Sequence, residues 1–120
     1  MTKIMIVDDE KGATDLLENL LRHKGYESIS VNDSTKAIQI ARTYNPDIFL
    51  LDLMMPVIDG FKLCSMLRED PRFAYTPIII ITALCDNDSK VVAFGAGAND
   101  YLTKPYFIHE LEARISKLVY

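Results

Sequence analysis

Short apolar runs alternate with helical patterns along the whole chain of 120 residues, and this alternation constrains the fold most. The apolar runs predict five strands, at residues 3–7, 27–31, 47–51, 77–81 and 100–102. Apolar residues at helical spacing predict a helix after each strand. The first helix ends at Gly25, and the second is capped by Ser34 and stops before Asn45. The third opens at Asp59-Gly60 and closes near Asp70, and the last two span Lys90–Phe94 and Tyr106–Lys117. Five β-α units with short connections favour an α/β fold, in which helices cover both faces of a parallel sheet.

The apolar character of the runs also bears on the order of the strands. The first, third and fourth runs are continuously apolar, which is typical of strands buried on both faces. The second and fifth runs are more polar and suit the edges of the sheet. The pattern therefore favours the order 2-1-3-4-5, a doubly wound sheet of the flavodoxin-like (βα)5 kind, although pattern alone does not establish it.

Composition and length narrow the function classes. The chain is long enough for one domain over residues 1–120, which we take as a single unit or a segment of a longer protein. A net charge of −4 argues against direct nucleic-acid binding, and no apolar run approaches the ~20 residues of a membrane span. The start has no signal-peptide pattern, and Cys64 and Cys85 lack a disulfide or metal spacing, so we expect a cytoplasmic protein.

Chemically reactive side chains follow the predicted strands where each strand ends. The first strand leads into Asp8 and Asp9, the third into Asp52, the fourth into Thr82 and the fifth into Lys104. In an open parallel sheet, ligands bind outside the carboxyl ends of the strands. We therefore expect three carboxylates, one hydroxyl and one ammonium group to meet at one edge of the sheet.

The three carboxylates predict a divalent cation. Carboxyl groups with a pKa near ~4 are ionised at neutral pH and repel one another at close range. Mg²⁺, or Mn²⁺ in its place, prefers oxygen ligands and relieves that repulsion. We expect Asp9 and Asp52 as direct ligands, Asp8 as a ligand directly or through water, and the backbone carbonyl of Met54 as a further ligand.

Asp52 is the predicted nucleophile of this group. An ionised carboxylate needs no general base and can form an aspartyl phosphate. Lys104 would bind one oxygen of the incoming phosphoryl group, and the Thr82 hydroxyl would hydrogen-bond another. The apolar residues after Asp52, from Leu53 to Pro56, would limit the access of water.

Four segments carry a resemblance to a known family. "IMIVDDE", "FLLDLMMPVIDGF", "IIIITA" and "GANDYLTKP" occur in this order, and together they resemble the receiver domain of two-component response regulators over essentially the whole chain. The resemblance implies that Asp52 is the phosphate acceptor, Thr82 the switch hydroxyl, Lys104 the active-site lysine and Tyr101 an aromatic switch residue. It also implies a cis bond between Lys104 and Pro105.

The same resemblance implies partners and a mode of action. Such a domain is a signalling switch and not a turnover enzyme. A sensor histidine kinase or a phosphotransfer protein would donate the phosphoryl group in a Mg²⁺-dependent reaction. The surface of the fourth helix, fifth strand and fifth helix would then act on an output domain or a downstream protein, and a phosphorylation-dependent homodimer is a further form to test.

Other interpretations of these residues remain open from the sequence. Asp8 and Asp9 suit a helix N-terminus, and Tyr101 suits a half-buried strand position. A haloacid-dehalogenase-like phosphatase also uses an aspartyl nucleophile. Its site resembles Asp-x-Asp, in which the second acid acts as the general acid, whereas Met54 stands at that position here. A flavodoxin-like cofactor binder would need a hydroxyl- and glycine-rich phosphate loop where "DDEK" stands.

Overall fold

The computed structural model describes residues 1–119 and contains one parallel sheet. Its strands are β1 (Lys3–Val7), β2 (Glu27–Val31), β3 (Ile48–Leu51), β4 (Ile78–Thr82) and β5 (Asp100–Thr103). They lie in the order β2-β1-β3-β4-β5, and every neighbouring pair is parallel. The predicted flavodoxin-like order is therefore confirmed.

Five α-helices cover the two faces of this sheet. They are α1 (Lys11–His23), α2 (Ala37–Tyr44), α3 (Gly60–Glu69), α4 (Asn87–Ala96) and α5 (Ile108–Leu118). The apolar side chains of α1 and α5 pack on one face of the sheet, and those of α2, α3 and α4 pack on the other. Within residues 1–119, no helix has the length and apolar character that crossing a bilayer requires.

Burial explains why the central strands were predictable. All residues of β3 and β4 are buried, and so are four of the five residues of β1. The edge strand β2 is less buried: Glu27 is exposed, residues 28–30 are half-buried and only Val31 is buried. Continuous apolar runs thus mark the strands that have helices on both sides.

The start of α2 differs from the prediction. The carboxylate of Asp33 accepts hydrogen bonds from the amide nitrogen and the hydroxyl of Thr35, at 3.1 and 2.6 Å, and begins a short 3-10 turn that leads into α2. The prediction of Ser34 as the cap was wrong, because the Ser34 hydroxyl donates to the backbone carbonyl of Pro56 at 3.2 Å.

The last two helices are also displaced from their predicted bounds. Helix α4 begins three residues before Lys90, since the Asp86 carboxylate accepts from the backbone N–H of Ser89 at 2.9 Å. It continues through Gly95 to Ala96, and Gly97 follows as the C-cap, with a φ of 115° that suits a residue without a side chain. Helix α5 begins at Ile108 rather than Tyr106.

One loop residue of the sheet's carboxyl edge adopts an unfavourable backbone conformation. Val57, in the connection between β3 and α3, has a φ of 67°, and the amide of Ile58 donates to the carbonyl of Pro56 at 2.8 Å across it. A three-residue turn with positive φ is rare, and a β-branched side chain suits it poorly. Because the Val57 side chain is 89% exposed, packing gives no compensation.

We predict that Val57→Asn stabilises the protein by about 1 kcal/mol, because asparagine tolerates positive φ better than valine. The measurement is the free energy of unfolding in urea. Val91→Asn is the matched control, since Val91 is also exposed but lies within α4. Its effect should stay within about 0.5 kcal/mol. Equal effects of the two substitutions would contradict the assignment of strain to Val57.

Candidate functional site

The structure brings together Asp8, Asp52 and Lys104, three of the predicted site residues. The Lys104 Nζ atom lies 2.8 Å from Asp8 Oδ2 and 3.0 Å from Asp52 Oδ2. Both carboxylates are largely buried, with 9% of each side chain exposed, and the lysine side chain is 28% exposed. One ammonium group thus bridges two acidic side chains at the carboxyl edge of the sheet.

Strand register explains why these groups meet. Val7 of β1 pairs with Leu51 of β3, so the next residues, Asp8 and Asp52, leave the sheet side by side. The amide of Asp52 still donates to the carbonyl of Val7 at 3.0 Å. Lys104 follows β5, and its amide donates to the carbonyl of Thr82 at 2.8 Å. The bond between Lys104 and Pro105 is cis, as the resemblance implies.

Asp8 also shapes the turn into α1. Its Oδ1 atom accepts a hydrogen bond from the backbone N–H of Glu10 at 3.0 Å, while Oδ2 accepts from Lys104. Burial raises the pKa of Asp8, and the bonds from Lys104 and Glu10 counter that effect only in part. Asp8 does not cap α1, because the helix begins at Lys11 with Glu10 at the N-cap position and, of the amides at this end, Asp8 bonds only that of Glu10 itself.

The ionised form is favoured more strongly at Asp52 than at Asp8. Burial acts to raise the pKa of Asp52, but the backbone N–H of Met54, the Lys104 ammonium and the Thr82 hydroxyl outweigh it, and the pKa is lowered. The N–H of Met54 donates to Asp52 Oδ1 at 3.1 Å. The carboxylate of Asp52 is therefore ionised at neutral pH, which is the state that a nucleophile requires.

Thr82 and Tyr101 are joined through the loop after β4. Thr82 is fully buried, and its hydroxyl oxygen lies 3.5 Å from the amide nitrogen of Leu84. The Tyr101 hydroxyl donates to the carbonyl of the same Leu84 at 2.6 Å. Tyr101 is 8% exposed, so its ring is buried rather than half-buried. Its role as a switch residue stays a prediction.

Asp9 is not gathered with the other two acids. It is exposed, and among residues 1–119 no three His, Cys, Asp or Glu side chains lie close enough to hold a metal ion together. Met54 follows two residues after Asp52 and is 52% exposed. The roles of Asp9 and of the Met54 carbonyl as ligands stay predictions.

The donor set that is present nevertheless fits a hard divalent cation. Asp8 and Asp52 already converge on one positive charge, and each places one carboxylate oxygen within 3.0 Å of the Lys104 Nζ atom. Carboxylate oxygens are the protein ligands that Mg²⁺ prefers, and it commonly needs only one or two of them. The chemistry of the pair therefore suits Mg²⁺.

Comparison with known proteins decides the family. A family model described as the response regulator receiver domain matches residues 4–116. The chain belongs to this family. Receiver domains of response regulators are signalling domains rather than turnover enzymes. This chain is therefore a signalling domain.

Curated relatives and solved structures agree with this membership. The chain is 40% identical over 119 residues to the DNA-binding dual master transcriptional regulator RpaA of Synechocystis, with 99% of this chain and 49% of RpaA covered. It resembles the receiver domain of Francisella response regulator 1452 with a TM-score of 0.90 and 32% identity, over 98% of this chain and 96% of the other. The receiver domain thus spans about half the length of RpaA.

One solved neighbour bears on the metal. The receiver domain of the sensor histidine kinase PA1611 from Pseudomonas aeruginosa is described with a magnesium ion coordinated in its active-site cleft. It is 30% identical to this receiver domain, with a TM-score of 0.89 over 98% of this chain and 96% of the other. A related receiver domain therefore holds the ion that the sequence predicts here.

Three residues near the site were not predicted to act on it. Asn32 donates to the carbonyl of Asp8 at 2.8 Å, and Ser34 donates to the carbonyl of Pro56. Gly60, at the start of α3, packs so closely that a Cβ atom there would lie 2.1 Å from the Asp52 carbonyl oxygen. The Asp59-Gly60 pair at the start of a helix was a signal for Gly60, whereas the local pattern contains none for Asn32 or Ser34.

We predict that Gly60→Ala destabilises the receiver domain by about 3 kcal/mol, because the new methyl group would push against the main chain of Asp52 and Leu53. Urea unfolding measures the effect. Gly12→Ala is the matched control, since a Cβ atom at Gly12 in α1 has nothing within 4 Å. That control should gain about 0.5–1 kcal/mol. A neutral Gly60→Ala would show that the contact is not restrictive.

Proposed function

We propose that this receiver domain is a phosphorylation switch in which Asp52 accepts a phosphoryl group from the phosphohistidine of a sensor histidine kinase or phosphotransfer protein. The observation that carries the proposal is the buried carboxylate of Asp52 at a strand end, 3.0 Å from the Lys104 ammonium. Its lowered pKa keeps it ionised and able to attack phosphorus.

The proposed transfer is a single displacement at phosphorus. A carboxylate oxygen of Asp52 forms the new P–O bond while the P–N bond to the donor imidazole breaks, and the bonding electron pair stays with the imidazole nitrogen. Lys104 would shift from the carboxylate to a phosphoryl oxygen, and Thr82 would donate to another. The buried side chains of Leu53 and Met55 would limit water near the acyl phosphate.

A divalent cation belongs to this proposal. Asp8, Asp9, Asp52 and the backbone carbonyl of Met54 would hold Mg²⁺, or Mn²⁺, at the carboxyl edge of the sheet. When bound, the ion would neutralise charge on the phosphoryl oxygens. The convergence of Asp8 and Asp52 on one ammonium group supports a shared cation at this place.

An apolar groove beside Lys104 supports a helical donor protein. The groove has a volume of about 360 Å³ and lies between α1 and the start of α5. Leu16, Leu20, Pro105 and Ile108 are among its lining residues, and Leu16 is 60% exposed. An apolar groove lined in part by Lys104, which contacts Asp52, suits the amphipathic helix of a kinase or phosphotransfer protein.

The surface of α4, β5 and α5 is the proposed output. Phe94 of α4, whose ring centroid lies 6.5 Å from that of Tyr101 in β5, is 47% exposed, and Phe107 before α5 is 70% exposed. Aromatic side chains are enriched at surfaces that other proteins cover. An output domain, a downstream protein or a second copy in a phosphorylation-dependent homodimer would bind there, and a cytoplasmic location typical of response regulators is part of the proposal.

We predict that incubation with acetyl phosphate and Mg²⁺ adds one phosphoryl group to the parent and none to Asp52→Asn, as measured by intact mass. The acetate carboxylate is then the leaving group. Asp59→Asn is the matched control, because Asp59 only caps α3 and asparagine caps equally well. Labelling of Asp52→Asn to the extent of the parent would refute Asp52 as the acceptor.

We predict that Lys104→Met lowers the rate of this labelling about 100-fold at saturating Mg²⁺, because the charge that meets the phosphoryl group is lost. The time course of intact mass gives the rate. Lys62→Met, on the exposed side of α3, is the matched control and should react like the parent. An unchanged rate in Lys104→Met would exclude the lysine from the transfer.

A further inference from the structure

The connection between β2 and α2 contacts both loops that carry the acidic pair. The side-chain amide of Asn32 donates to the carbonyl of Asp8 at 2.8 Å, in the loop after β1. The hydroxyl of Ser34 donates to the carbonyl of Pro56 at 3.2 Å, in the loop after Asp52. Two residues of the short segment 32–34, Asn32 and Ser34, thus reach both of the loops on which the site depends.

The Asn32 contact fixes Asp8 from two directions. The backbone N–H of Asp8 donates to the carbonyl of Val31 at 3.2 Å, so both main-chain groups of Asp8 are held by the end of β2 and the residue after it. The same Asn32 amide nitrogen donates to the hydroxyl oxygen of Thr14 at 3.1 Å. Thr14 is buried and donates in turn to the carbonyl of Lys11, so the first turn of α1 joins the arrangement.

The Ser34 contact fixes the acceptor loop. Ser34 is 4% exposed and Pro56 is exposed, so the bond between them is partly buried. Pro56 begins the strained turn at Val57, whose backbone has little preference of its own for this conformation. A bond at this turn therefore restricts how the loop after Asp52 can relax.

We propose that residues 32–34 form a clamp that sets the spacing between the carboxylates of Asp8 and Asp52 for a shared divalent cation. The inference rests on the proposed function, since it concerns the same site. Mg²⁺ demands nearly ideal octahedral geometry, and ligands displaced by about half an ångström bind it less well. Asn32 and Ser34 are positioning residues in this account, because neither touches the cation.

A purely structural role makes a different prediction. Two hydrogen bonds that only stabilise the fold would lower the free energy of unfolding and leave the cation affinity of the folded protein unchanged. A clamp changes the affinity itself, because the bonds act on the main chain of the loops that carry the ligands. Outer partners of metal ligands typically contribute ~10–100-fold in affinity, and bonds to the main chain should contribute less.

The experiment is a calorimetric titration of the full chain with Mn²⁺. Asn32→Ala and Ser34→Ala should each weaken binding about three- to tenfold, and the double variant should bind more weakly than either. Asn19→Ala and Ser116→Ala, on exposed parts of α1 and α5, are the matched controls and should bind like the parent. Parent-like affinity in both single variants would overturn the clamp.

Acetyl phosphate labelling gives a second readout. The Mg²⁺ concentration that half-saturates labelling should rise by the same factor in the Asn32 and Ser34 variants, while the rate at saturating Mg²⁺ stays close to that of the parent. A rate that excess Mg²⁺ does not restore would also overturn the clamp. Should Asn32→Ala fail to fold, Asn32→Ser removes the same amide group with a smaller change in volume, and its titration decides.

Two further variants separate this inference from the function on which it rests. Asp8→Asn and Asp52→Asn should each weaken Mn²⁺ binding strongly if the acidic pair is the cation site. When these variants bind normally, the proposed cation site fails and the clamp fails with it. When they lose affinity but Asn32→Ala and Ser34→Ala do not, only the clamp is overturned.

Discussion

One lysine ammonium holds two buried carboxylates of like charge together at the edge of the sheet. Lys104 reaches Asp8 and Asp52 from β5, which is separated from β3 by the whole of β4. Strands lie about 4.8 Å apart, so only a long side chain spans that distance. Without this charge the two acids would repel each other in a place that water reaches poorly. The strand order and the reach of one lysine are thus joint conditions for the site.

Much of this arrangement could be predicted because it follows from rules that act locally. The continuous apolar runs of β1, β3 and β4 marked strands buried on both faces, and the parallel topology then placed Asp8, Asp52 and Lys104 at one edge. Helix α4 was predicted too short. Apolar side chains lie on its exposed face as well as its buried one, as Val91 and Ala93 show, so amphipathic periodicity is weak there.

The parts that could not be predicted depend on contacts between distant segments. Asn32 bonds a carbonyl 24 residues earlier, and Ser34 bonds one 22 residues later, so neither neighbouring sequence nor helical spacing indicates the partner. Val57 works against local preference, since a β-branched residue stands where the loop requires positive φ. Such exceptions are expected near functional sites, where tertiary contacts override what the local chain prefers.

The bond between Tyr101 and Leu84 limits how a switch in this domain can operate. Arg68 donates to the carbonyl of Gly97 from two nitrogen atoms, at 3.0 and 2.8 Å, and so anchors the end of α4 to α3. The start of α4 is held through the loop that follows Thr82, to which the Tyr101 hydroxyl bonds. In the proposed switch, a movement of Thr82 that displaced Leu84 would carry the Tyr101 ring with it or break this partly buried hydrogen bond. A ligand shifts the equilibrium between two conformations only as far as its contacts differ between them. If the second conformation lacks the bond between Tyr101 and Leu84, the contacts made by the phosphate would have to offset the free energy of that bond.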